Sequence, residues 1–165
     1  MVPDTDLQLK VVIKALETTI APALDPLDPL AAEQCQLAVA TLSFIRSHLP
    51  LRRRLVRAEL ADNLALAGQL CASTRAGTLE PAIATASTAL DDPDLDTTEL
   101  VTVNADLLDA LATVIDTSGC DREVARAVVA GWKDHARRGR AWTVSAGFEL
   151  DPDSVTPIEQ LLDRS

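Results

Sequence analysis

Apolar residues recur every three or four positions along most of this chain, the spacing expected when helices each bury one face. A first helix is predicted from about residue 6 to residue 20, with Leu9, Val12, Ile13, Leu16 and Ile20 on its buried side and Pro22 ending it. The linker Leu24-Asp25-Pro26-Leu27-Asp28-Pro29 reads as a stiff turn whose last pair starts the next helix. Asp28 suits the N-cap, and Pro29 suits a first helical position, where an N–H would be unpaired anyway. The second helix runs to about His48, with Leu30, Leu37, Leu42, Ile45 and Leu49 on or near its inner face, and Pro50 closes it.

A third and longest helix is expected from Leu51 to about Arg75, with Val56, Leu60, Leu64, Ala67 and Cys71 in one stripe. Arg75 falls where a cation complements the carbonyl end of the helix dipole, and Gly77 is placed to adopt a left-handed cap. A weaker helix spans about Pro81 to Leu90 and stops at Asp91-Asp92-Pro93. Asp96 and Glu99 have the spacing of a capping box for a fifth helix, which shows Leu100, Leu108, Leu111 and Ile115 on one face and continues to about Thr117. Gly119 breaks it. Asp121 then opens a sixth helix through Val124, Ala127, Val128 and Gly131 to Arg138, and Thr156-Pro157-Ile158-Glu159 reads as the capped start of a short last one.

Composition agrees with helix nearly throughout. Ala and Leu abound, Tyr is absent, and Phe and Trp number two each, leaving few of the aromatics that strands favour. Short loops between long helices make neighbours antiparallel, so the expectation is an all-α, antiparallel bundle of five or six helices in a single domain over residues 1–165. At 165 residues the chain is long enough for one core. No run approaches the roughly 18 apolar residues of a membrane span, and the opening Met-Val-Pro-Asp has no leader character. Cys35, Cys71 and Cys120 are dispersed and odd in number, as expected of buried thiols in a reducing cytoplasm.

Charge is unevenly placed. The net charge of −10 disfavours binding to nucleic acid or anionic membrane. From Ala76 to Asp121 there is no Lys or Arg, whereas Arg46, Arg52, Arg53, Arg54 and Arg57 crowd the junction of the second and third helices. Cations in a first helical turn oppose the dipole and invite a compensating anion. Three kinds of anion fit: a carboxylate of this chain, an acidic patch on a partner, or a phosphate such as that of CoA. Arg46, Arg52, Arg53, Arg57 and Arg75 are therefore the candidates for anion or partner binding. Trp142, in the irregular stretch after the sixth helix, joins them as a candidate anchor. Trp132 is assigned to core packing.

Enzyme motifs are missing from the sequence. It contains no phosphate-binding loop, no GxGxxG and no kinase catalytic loop. Neither His48 nor His135 follows a Glu by three positions, as bundle metal sites require, and both read as surface or helix-end histidines. Cys71 lies on an apolar stripe and reads as structural. No catalytic residue, metal or cofactor is assigned.

The run Leu70-Cys71-Ala72-Ser73-Thr74-Arg75-Ala76-Gly77 resembles the signature of a bacterial family of small helical proteins known as a domain of unknown function. Pro22-Ala23-Leu24 and Leu100-Val101-Thr102-Val103-Asn104 agree with it, and the resemblance covers about residues 7–108, leaving 109–165 as an extension. Two positions depart from the pattern: Ala105 stands where the family has Pro, and Arg46-Ser47-His48-Leu49 replaces a more acidic end to the second helix. Members accompany kinases resembling aminoglycoside phosphotransferases and acyl-CoA dehydrogenases. The resemblance thus implies a non-catalytic accessory subunit of a kinase acting on hydroxyacyl-CoA. Two other readings stay open: a stand-alone binder of a small anion such as CoA or a nucleotide, and a self-associating structural protein in which the acidic middle of one copy meets the basic junction of another.

Overall fold

The computed structural model describes residues 4–74, 77–118, 121–147 and 149–163. Arg75, Ala76, Gly119, Cys120 and Phe148 lie outside them, so the expectation for Arg75 does too. The described chain is all helix and turn. Six long helices, α1 (Thr5–Ala15), α2 (Pro29–His48), α3 (Arg52–Thr74), α4 (Glu80–Asp91), α5 (Thr97–Ser118) and α6 (Arg122–Thr143), precede a short α7 (Ile158–Leu162).

The start signals act as the sequence predicts. Asp28 Oδ1 accepts the Ala31 N–H at 3.0 Å with Pro29 opening α2, and Asp121 accepts the N–H groups of Glu123 and Val124. Asp96 and Glu99 form a reciprocal box: each carboxylate takes the other residue's N–H, at 2.9 and 3.1 Å. Ala105 does not interrupt α5, and α6 runs five residues past Arg138. Two caps differ. Gly77 opens a 3-10 turn without a positive φ, and only Gly147 has one among the described residues (φ 80°). α7 is preceded by Pro157, and no side chain caps it.

α3 is the axis of the molecule. It packs against α4, α5 and α6, while α4 also packs on α5. Leu60, Leu66, Leu70, Leu79, Leu100, Leu107 and Leu111 are fully buried there. Each withdraws enough apolar surface to contribute about 2 kcal/mol. A second small cluster, Ala58, Ala141, Ile158, Leu161 and Leu162, seats α7 between the start of α3 and the end of α6.

α1 and α2 are built differently. After Ala15 the first helix widens into a π-turn (Leu16–Ile20) and tightens into a 3-10 turn (Ala21–Ala23) before the Pro-rich linker returns the chain as α2. α1 buries no residue completely, and α2 buries only Cys35 and His48. The pair forms an antiparallel arm that packs chiefly on itself and meets the body at the C-terminal end of α2.

The expected inner faces of this arm need correcting. Leu30, Leu37, Ile45 and Leu49 are exposed, at 64%, 57%, 41% and 48%, and so are Val12 and Ile20. The inner face of α2 is instead its smaller residues, Ala31, Ala32, Cys35, Ala38 and Val39, and of the expected face only Leu42 is half-buried. Small side chains let two helix backbones approach closely, so the large ones were turned outward.

Candidate interaction surface

The arm joins the body through a short aromatic stack. His48, in the last turn of α2, lies 4.0 Å from the Phe44 ring in near-parallel stacking and 4.5 Å from Trp142 edge-on, centroid to centroid. Its Nδ1 is 2.8 Å from the Phe44 carbonyl oxygen and 2.9 Å from Ser47 Oγ. The Phe44 carbonyl can only accept, so Nδ1 carries the proton in that bond. His48 is therefore buried, at 7% exposure, rather than a surface histidine. Trp142 is half-buried against it; Trp132, expected in the core, is 48% exposed beside His135. A cleft of about 320 Å³ opens next to the stack, between Ser47, Leu51, Val144, Val155 and Ile158.

Most of the basic junction finds acceptors inside the chain, backbone carbonyls for Arg53 and Arg57 and carboxylates for Arg46 and Arg54. Antiparallel packing sets the carbonyl end of α4 beside the first turns of α3. Arg57 donates to the Leu90 and Asp92 carbonyls, and Arg53 donates to that of Pro93. Cations that oppose the dipole of α3 thereby complement that of α4. Arg54 pairs with Asp163 beyond α7. Arg46 Nε donates to Asp6 Oδ1 at 2.6 Å, tying the start of α1 to the end of α2. Lys10 and then Arg46, both bonded to Asp6, hold its carboxyl below the usual range. The Arg52 side chain is exposed and makes no hydrogen bond or ion pair among the described residues.

Three polar pairs lie outside the sequence reading. Asn63 Nδ2 donates to Asn104 Oδ1 at 2.8 Å between α3 and α5. Arg138, only 4% exposed, pairs with Asp62 across α3 and α6, and its Nε is left without a partner. Arg140 grips Glu149 through two bonds, of 2.6 and 2.8 Å. That grip pulls the Glu149 carboxyl down to about 2. The spacing did hold a signal for two of these pairs. Asn63 is seven residues from both Val56 and Leu70, and Arg138 is seven from Gly131, so each sits on an apolar stripe.

The exposed side of α2 carries an ordered row of uncharged residues. Leu30, Gln34, Leu37, Thr41 and Ile45 are all exposed, at spacings of four, three, four and four that keep them on one face. From Pro29 to Ile45 the only charged residue is Glu33. Scattered exposed apolar residues are ordinary, but here Leu30, Leu37 and Ile45 recur on one face across sixteen residues. Among the described residues no group of three or more His, Cys, Asp or Glu is placed to hold a metal ion, and no helix is long and apolar enough to cross a membrane. No family model matches the sequence, and no curated protein or solved structure is significantly similar to it.

Proposed function

We propose that this protein is a non-catalytic interaction subunit that works by docking its α1–α2 arm against another polypeptide. The supporting observation is the outward stripe of α2, in which apolar Leu30, Leu37 and Ile45 alternate with uncharged Gln34 and Thr41 away from the core. Burying a Leu at such a site contributes about 1.5–3 kcal/mol, so the stripe gains from a partner that covers it. The anion-binding alternative has less behind it, because Arg46, Arg53 and Arg57 already spend donors within the chain.

The resemblance at Leu70–Gly77 and Leu100–Asn104 adds a partner class: a phosphotransferase-like kinase acting on hydroxyacyl-CoA, in a cytoplasmic setting that suits the buried thiol of Cys35. Co-expression with such a kinase is expected to give a complex stable on size exclusion or a more soluble kinase. Clean separation of the two, with unchanged kinase activity, would remove that partner.

A further inference from the structure

We infer that the occupant of the α2 stripe is α2 of a second copy, crossing antiparallel about a two-fold axis at Leu37. This rests on the arm being a docking surface, and it names what docks there.

The stripe reads almost the same in both directions. Outward from Leu37, polar Gln34 and Thr41 come first, and apolar Leu30 and Ile45 come next. In an antiparallel pair centred near residues 37 and 38, Leu37 meets its own counterpart, Gln34 faces Thr41, and Leu30 faces Ile45. Each apolar residue then meets an apolar one, and each amide finds a hydroxyl to bond. A two-fold interface requires this self-complementarity.

Charge allows the same partner. A chain carrying −10 repels its own copy at long range. α2 adds nothing to that repulsion, because its Glu33 and Arg46 sum to zero. Antiparallel crossing sets the two acidic bodies at opposite ends and the two Glu33 side chains about 13 Å apart along the axis, beyond the roughly 8 Å screening length at physiological salt. The strip of α2 alone, about 30 Å by 10 Å on each copy, gives a small interface of about 600 Å², in the range of weak and transient contacts.

The test is sedimentation velocity on the full chain from micromolar upward, alongside Leu37→Glu and Leu37→Lys. Both substitutions are on an exposed side chain, and circular dichroism checks that they leave the helices intact. The wild type is expected to approach twice the monomer mass as concentration rises. Each variant alone should stay at monomer mass, since like charges meet on the axis, and an equimolar mixture should regain the dimer. Variants that dimerise as the wild type does would overturn the axis at Leu37, and so would a mixture that stays monomeric. If the wild type is monomeric throughout yet binds a co-expressed kinase that Leu37→Glu releases, the second copy is wrong and the docking surface stands. If it is monomeric and that kinase binds the variant equally well or not at all, the inference and the docking reading both fall.

Discussion

His48 and Trp142 meet edge to face, ring centroids 4.5 Å apart at 61°, and through them the last turn of α2 is held to the last turn of α6. Such contacts contribute about 0.5–1.5 kcal/mol beyond the area they bury. Trp142→Ala is therefore expected to cost about 1–2 kcal/mol and to act locally. Hydrogen exchange should quicken along α2 while the amides of α3 and α5 keep their protection. Uniform quickening over the whole chain would show that the arm and body unfold as one unit.

Among the described residues, Asp62 is the only anion paired with the nearly inaccessible Arg138. Removing one member of a buried pair leaves an uncompensated charge, so Asp62→Ala should lose about 3 kcal/mol in urea unfolding. The double change Asp62→Leu, Arg138→Met should be far milder, because no charge is then left inside. Equal losses in the single and double variants would mean that the pair contributes chiefly through shape.

Asn63 and Asn104 fix which turn of α3 faces which turn of α5. Asn104→Leu leaves the buried Asn63 amide unpaired and should cost about 2 kcal/mol, with much of it recovered in the Asn63→Leu, Asn104→Leu double variant. A double-mutant cycle measures that coupling.

Leu60 and Leu37 make the contrast between body and arm quantitative. Leu60→Ala, at a position with no exposure, should destabilise by about 3 kcal/mol through the lost burial and the cavity left behind. Leu37→Ala should stay within about 0.5 kcal/mol in dilute solution, where no second copy covers it. Thermal melts at low concentration give both values.

Acid should loosen the segment after α6 late. The Glu149 carboxyl lies at about 2 in the folded chain, below its ordinary 4.5, so the Arg140 contact contributes in full above about pH 4.5 and is lost as the pH falls toward 2. A side-chain carboxyl titration of Glu149 by NMR should show a midpoint near the lower value. A midpoint near 4.5 would show that the contact does not persist in solution.

The architecture of α3 to α6 was readable because their apolar stripes, caps and breakers agree with one another. The stripe of Val56, Leu60, Leu64, Ala67 and Cys71 is buried or half-buried as its spacing predicts. The arm was misread for a definite reason: periodicity reports which residues share a face, not which face is inside. On α2 two faces were eligible, and the face of Ala31, Cys35 and Ala38 won because it admits α1 more closely than Leu30 and Leu37 would. The basic junction was legible as an imbalance but not as its resolution. Arg53 and Arg57 are satisfied by carbonyls at and just beyond the end of α4, and backbone acceptors leave no trace in side-chain composition.

At about 1.5 Å per residue, α2 carries the linker at Leu24–Pro29 some 30 Å from the stack at its base. That distance is several screening lengths in physiological salt. The far end of the arm is thus electrically remote from the acidic residues of α4 and α5, and its own exposed carboxylates, Asp25 and Asp28, set the salt sensitivity of a molecule that touches only this end. One that also reached the body would be repelled or attracted according to its own charge.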